Sequence, residues 1–284
     1  MGSQDIDLRV HAIRDDIADK SLAGYVSGQR LVEARAAVIT GEVVAVRSRP
    51  QHDAPLDTQA LFGEAVYVFD EAGGWSWVQL QRDGYVGYIL SDNISYDQSE
   101  PDHFVKTLST FVYPEPNIKV PPTAVLPMNA AVEVTNRSDK FIEVSGGGFI
   151  YSAHVSGIQG RPEDFVSVAE MYIGTPYLWG GRSSRGIDCS GLVQMSLMAT
   201  GRDIPRDSDM QEKQTGRLIG NDISNSRLVR GDLLFWKGHV GIMVNPDMLL
   251  HANGYHMLTV VEPVTEAVQR IADMYGSVTS IKRL

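Results

Sequence analysis

The chain has 284 residues, 43% of them hydrophobic, and a formal net charge of −10. That length suits two or three domains of roughly 100–150 residues each, and an acidic chain whose longest basic cluster is Lys282-Arg283 argues against a nucleic-acid partner. A single cysteine excludes an internal disulfide and makes a reducing compartment the easier home.

The N-terminal stretch MGSQDIDLRVHAIRDD lacks the charged-then-apolar pattern of a signal peptide. Ile6 stands where the myristoylation pattern needs Ser or Thr. No run reaches the roughly 18 apolar residues of a membrane span, so no membrane partner is expected. These features point to the cytoplasm, unless Met1-Gly2-Ser3 replaces a removed leader.

Residues 1–30 form a first segment, polar and partly helical from about residue 7. Ile13 and Ile17 make one apolar pair at i, i+4, and Gly24 stops it. The period then changes. Ala36–Ile39, Glu42–Val46, Ala65–Phe69, Trp75–Leu80 and Tyr85–Ile89 are short strand-like runs separated by turns such as Arg82-Asp83-Gly84. Thr110–Tyr113, Ala124–Leu126, Ala131–Val134, Phe141–Val144 and Gly148–Tyr151 form a second set. DGYVGYIL and GGGFIYSAHV resemble one closing strand used twice, which predicts two tandem SH3-like barrels over 31–94 and 104–157.

From residue 160 to 284 the pattern becomes helix first, then sheet, an α+β domain. Pro162-Glu163-Asp164 starts a helix carrying Phe165, Val168, Ala169 and Tyr172. A glycine-rich loop, 180–186, precedes a second helix from Cys189 to about Thr200 that is apolar nearly all round and therefore buried. A third helix begins at Ser208 or Asp209. Strands follow at Leu233–Trp236, His239–Val244, Met248–Ala252 and Leu258–Val261.

The one cysteine stands in GIDCSG. Asp188 is a good N-cap, which places Cys189 in the first turn of its helix, where the helix dipole favours thiolate. A nucleophilic thiol needs a base. His239 and His251 flank a turn at Asn245-Pro246-Asp247 and should meet on neighbouring strands, as base and orienting partner. Asn253, two residues on from His251, is a second candidate for the orienting role. Each residue has a plainer reading: a buried cysteine serves as a small apolar side chain, and a strand histidine as a hydrogen-bonded structural group. Zinc would want a fourth ligand and close cysteine pairs, which are absent from the sequence.

PYLWGGRSSRGIDCSG at 176–191, RGDLLFWKGHVGIMV at 230–244 and LLHANG at 249–254 resemble, in order and spacing, the NlpC-type papain-like cysteine peptidases of bacterial cell walls. The resemblance implies a papain-like α+β catalytic domain preceded by two small SH3-like barrels. It implies Cys189 as nucleophile, His239 as base, His251 as third member and Tyr177 as hydroxyl donor to the oxyanion. In the subgroup with such barrels it further implies a dipeptidyl-peptidase without cofactor. That enzyme acts on murein tripeptides or tetrapeptides with a free N-terminal L-alanine and cuts between γ-D-glutamate and the diamino acid. Asp188 would then pair with the substrate ammonium, Ser190 and Ser208 would hold the D-glutamate carboxylate, Trp179 would line the site, and Arg206 would add charge there or lie on the surface. TQALFGEAVYV at 58–68 resembles the subgroup's strand whose acid, here Glu64, reaches the site, with Tyr85 as its companion. Two other functions compete: an endopeptidase or amidase on intact peptidoglycan with the barrels as anchors, and a non-catalytic wall-binding protein.

Overall fold

Alternating strands with one apolar face form the first part of the protein. In the computed structural model, which describes residues 6–97, 100–138 and 140–284, seven antiparallel strands lie in one sheet. Their spatial order is Leu56–Leu61, Val43–Arg47, Val86–Leu90, Trp75–Leu80, Ala65–Ala72, Arg35–Ile39 and Ile94–Ser95. Ala37, Ile39, Val44, Val46, Val66, Val68 and Ile89 point to one buried cluster, as period-2 alternation requires. All five predicted runs are strands here; the first and last in this spatial order were not anticipated. Met1-Gly2-Ser3 lie outside the described residues.

The N-terminal segment differs from expectation. It contains one short 3-10 turn, Lys20–Leu22, capped by the Asp19 carboxylate on the Ser21 N–H at 3.0 Å. Ile17–Asp19 pairs in parallel with Arg30–Val32, and Ile17 packs with Ala12, Phe69 and Trp77. A single i, i+4 apolar pair cannot sustain a helix in water, whereas burying Ile17 against two aromatic rings removes a full side chain from solvent.

The chain divides into two compact units. The first holds the described residues up to His103 with Phe111–Leu126 and Ala130–Ser152; the second holds Phe104–Thr110, Pro127–Asn129 and Ala153–Leu284. This two-way division does not set apart the stretch 104–157, expected as a second barrel. That stretch contributes a five-stranded sheet ordered Ala124–Pro127, Ser109–Tyr113, Phe149–Tyr151, Phe141–Val144, Val134–Arg137.

The second unit carries four helices: α1 (Phe165–Glu170), α2 (Cys189–Ala199), α3 (Ser208–Gln214) and α4 (Val264–Tyr275). Its six-stranded antiparallel sheet consists of β1 (Arg217–Gly220), β2 (Leu233–Trp236), β3 (His239–Asn245), β4 (Met248–Asn253), β5 (Leu258–Pro263) and β6 (Ser280–Arg283). Their order is β1-β6-β2-β3-β4-β5. Every residue of α2 is buried, as its apolar sequence predicts. The helix packs against β3 and β4, the two strands that carry the histidines. No described helix is long and apolar enough to cross a membrane.

Candidate active site

Cys189 opens α2, and the backbone at that point is tightly specified. Asp188 caps the helix, its Oδ1 accepting the Gly191 N–H at 2.7 Å. Its Oδ2 accepts the Gly180 N–H at 2.8 Å, which ties the glycine loop to the helix start. A Cβ at Gly191 would collide with the Gly181 carbonyl, so the loop lies directly on the first turn. The glycines beside the cysteine thus serve a close backbone approach.

Arg206 overturns the surface reading. It is 1% exposed and grips Asp188 with two bonds, Nη2 to Oδ2 at 2.6 Å and Nη1 to Oδ1 at 3.0 Å. Nη1 also donates to the Ser190 hydroxyl at 2.8 Å. The Asp188 carboxylate, with about four lone-pair positions, is filled by Gly180, Gly191 and Arg206. This leaves it no open position for a substrate ammonium, and its observed work is to fix the helix start. Ser190 and Ser208 are both buried, in the first turns of α2 and α3. Trp179 is 68% exposed, beside the glycine loop.

The thiol also departs from the dipole argument. Burial, then the negative charge of Asp188, pushes Cys189 up to about 12. The N–H groups of Val240 and Ser190 and the Arg206 charge pull the other way and lose. A helix terminus is worth well under a full charge, whereas desolvating a thiolate shifts its pKa by several units. At neutral pH the resting group is a thiol.

The histidines form a directed chain. Ile242 pairs with Leu250 and Asn245 with Met248, with an irregularity between them. The paired part of the hairpin is centred on Pro246 rather than Asn245, so His239 and His251 sit diagonally on one face rather than directly opposite. His239 Nε2 is 2.8 Å from His251 Nδ1, with the rings tilted at 66°. Trp236, 1% exposed, packs its ring on the other side of His239. With His239 Nε2 engaged, Nδ1 is its remaining ring nitrogen, and the N–H of the next residue, Val240, bonds the Cys189 sulfur. Burial first, then His251 and Arg270, lowers His239 to about 3. His239 is a neutral imidazole, able to accept a proton.

Beyond His251 lies a residue that sequence reasoning missed. Glu262 Oε1 is 2.6 Å from His251 Nε2, and Arg270 on α4 donates to both Glu262 oxygens, at 2.6 Å for Oε2. Burial alone would raise this carboxyl; the bonds from His251 and Arg270 overcome that and hold it at about 2. The available signal was an acid inside the apolar run LTVVEPV. Asn253 does not reach His239: its Nδ2 is 3.0 Å from His251 Nε2, and its Oδ1 accepts the His256 N–H at 2.8 Å.

Tyr177 is held beside the strand leading to Cys189 by a parallel bridge to Ile187. Burial, then Cys189 and Asp188, raises its hydroxyl above the ordinary value, so it stays a neutral donor. Glu64 and Tyr85 belong to the first unit. Glu64 is 6% exposed and its Oε2 accepts the Leu61 N–H at 2.9 Å; Tyr85 is part of the sheet's buried cluster.

A buried cysteine at a helix start, packed against the strand that carries a buried, neutral histidine, is the arrangement of a papain-like thiol enzyme. Residues 174–275 match the NlpC/P60 family, and residues 46–94 match the bacterial dipeptidyl-peptidase Sh3 domain. The γ-D-glutamyl-L-lysine dipeptidyl-peptidase of Bacillus subtilis is 31% identical over 75% of this chain and 79% of its own length. The chain belongs to the NlpC/P60 family. It is a cysteine peptidase of the cell-wall type, with an SH3-like domain ahead of its α+β catalytic part. A second relative of the same name, from Bacillus cereus, is 26% identical over 69% of this chain and 67% of its own length. A solved structure of an NlpC/P60 family protein from Bacillus cereus shares the fold, with a TM-score of 0.74 over 87% of this chain and 99% of that one at 21% identity.

Proposed function

We propose that this NlpC/P60 protein is a γ-D-glutamyl-L-diamino acid dipeptidyl-peptidase acting on free murein peptides in peptidoglycan recycling. The observation that carries the chemistry is the His239–His251 bond at 2.8 Å, which leaves His239 Nδ1 free for the thiol of Cys189. The match of an Sh3 domain described as that of bacterial dipeptidyl-peptidases, together with relatives so named over most of the chain, supports the substrate class.

His239 Nδ1 takes the proton from Cys189 Sγ as the sulfur attacks the carbonyl carbon of the γ-glutamyl amide. The oxyanion that forms accepts a hydrogen bond from the Tyr177 hydroxyl. The C–N bond then breaks, His239 returns the proton to the leaving amine, and the diamino acid portion departs. Water, activated by the same imidazole, hydrolyses the thioester and releases L-Ala-γ-D-Glu. Making the ion pair during the reaction, rather than holding it at rest, fits a thiol pushed up to about 12 beside an imidazole near 3. Ser190 and Ser208 hold the D-glutamate carboxylate, with the buried Arg206 charge behind Ser190. Trp179 lines the site from its exposed position. The resemblance assigns the free amine to Glu64, with Tyr85 beside it; Asp188, already filled, does not read it.

The test compares L-Ala-γ-D-Glu-diamino acid tripeptide, its N-acetylated form and intact sacculi, with products identified by mass. Turnover of the free tripeptide is expected, and none by Cys189→Ala. A blocked amine facing a carboxylate built for a cation costs about 1–3 kcal/mol, so acetylation should lower kcat/KM about tenfold to a hundredfold. Glu64→Gln should shrink that ratio. Equal cleavage of both tripeptides, or cleavage of sacculi alone, would replace this reading with an endopeptidase on intact peptidoglycan.

A further inference from the structure

We propose that Glu262 and Asn253 compete for one nitrogen of His251, and that Glu262, by winning, is the positioning residue that sets the tautomers of both histidines and so keeps His239 a base. The inference deepens the peptidase reading and rests on its assignment of Cys189 and His239.

The geometry allows two states of the chain of rings. Glu262 Oε1, 2.6 Å from His251 Nε2, can only accept. Asn253 Nδ2, 3.0 Å from the same nitrogen, can only donate, because its amide is oriented by its oxygen accepting the His256 N–H. One ring nitrogen cannot satisfy both. With Glu262 bonded, His251 carries its proton on Nε2, so Nδ1 has the lone pair. His239 must then donate from Nε2, and its Nδ1 is bare, able to take the proton that the peptidase reading assigns to it from Cys189. With Asn253 bonded instead, every proton shifts by one nitrogen. His251 carries its proton on Nδ1 and donates to His239 Nε2, and His239 Nδ1 bears a proton. That ring cannot accept from the thiol.

Arg270 decides the competition. It binds both Glu262 oxygens, is stacked on Tyr255 and keeps the carboxylate charged and aimed. The charged or titratable groups acting on His239 are His251 on β4, Arg270 on α4 and Glu262 on β5. Glu262 favours a proton on His239, and Arg270 opposes it. Arg270 thus works against an imidazolium while Glu262 fixes the tautomer.

The experiment uses the full chain with ring-labelled histidine, and two-bond proton–nitrogen NMR correlations that distinguish Nδ1–H from Nε2–H rings. Wild type should show Nε2–H at both His239 and His251. Glu262→Ala should convert both to Nδ1–H. Its kcat on the free tripeptide should fall about a hundredfold or more, in the range that a wrong tautomer costs, with KM changed less than about threefold, since Glu262 acts on the chemical step. Asn253→Asp in the Glu262→Ala background replaces the competing donor with an acceptor. It should restore the Nε2–H pattern and at least about tenfold of the lost kcat, a recovery no merely structural role for Glu262 would give. Wild-type rings in the Nδ1–H form, or Glu262→Ala rings unchanged from wild type, would overturn the proposal. So would failure of Asn253→Asp to shift either readout in a variant that melts as a folded protein. The NMR signature is independent of turnover. Loss of the tautomer pattern therefore indicts the relay, whereas a correct pattern with no tripeptide cleavage indicts the peptidase reading.

Discussion

Cys189 shows how a single residue's environment overrides its position in a helix. A helix N-terminus alone predicts a thiol more acidic than usual, yet burial and Asp188 push this one up to about 12. Alkylation of the free protein by iodoacetamide should therefore be slow at neutral pH. Its rate should climb about tenfold per pH unit from 7 to 10 without levelling, because the reactive thiolate fraction grows in that proportion. A plateau beginning below pH 8 would mean a resting thiolate–imidazolium pair. His251 gives a second measurable contrast. With the tautomers proposed above, its Nδ1 accepts from His239, a task an amide oxygen can take over and a methyl group cannot. His251→Asn should keep about tenfold more kcat than His251→Ala, if orientation is worth one hydrogen bond of about 1.4 kcal/mol; equal rates would remove the orienting role. Removal of the Cys189 thiol or the His239 ring should be the more damaging change in either comparison.

Elements differ in how far the sequence announces them. Helix α2 was legible because eleven apolar or small residues sit between Asp188 and Gly201, and the strands carrying His239 and His251 because a turn divides two apolar runs. The register between those strands was not, since neither the hairpin's centring on Pro246 rather than Asn245 nor the irregularity between Met243 and Asn245 has a residue signature. Helix α4 was overlooked although Val264, Ala267 and Ile271 follow a 3.6 period, and with it went Arg270. The Glu262–His251 contact needs two registers and a helix position at once, which no local pattern encodes. Arg206 was legible as a charge but not as buried, because its partner lies 18 residues away across a helix. That pairing makes a prediction about α2 as an element. Asp188→Asn keeps a side-chain oxygen to cap the Gly191 N–H but removes the charge that the buried Arg206 guanidinium grips with two bonds, which should destabilise the unit by about 3–5 kcal/mol. Arg206→Met added to Asp188→Asn should recover a large part of that loss in thermal unfolding. If the single variant melts like wild type, solvent reaches Arg206 and the buried pair is not what holds the loop on the helix.

At the scale of the whole molecule, the ionisable groups of the site link its chemistry to folding. His239, lowered to about 3 from 6.5, stays neutral when folded but takes a proton in the unfolded chain once pH falls below about 6.5. The unfolded state then binds more protons, so this stability is complete above pH 6.5 and drains away as pH falls toward 3. Glu262, held at about 2 against an ordinary 4.5, adds a second loss between those values as its ion pair with Arg270 and bond with His251 are protonated away. Cys189 has the opposite sense. With its thiol raised to about 12 from 9.0, its contribution is complete below pH 9 and is lost on the alkaline side up to 12. The protein should therefore show a stability plateau from about pH 6.5 to 9 with losses on both flanks, each group contributing at most about 1.4 kcal/mol per pH unit across its own window. Denaturant unfolding from pH 3.5 to 8 separates the contributions. Because His239→Gln removes the group whose protonation differs between the two states, its stability should fall less steeply than wild type between pH 6 and 4.5. Below pH 4.5 the wild type should keep this extra slope until pH nears 3, on top of a slope both proteins share, which belongs to Glu262, His251 and carboxylates such as Asp164 that are also held low by their partners. Identical slopes for wild type and His239→Gln through pH 6 to 4.5 would show that the imidazole titrates alike folded and unfolded, and would contradict a neutral, buried base at the centre of the site.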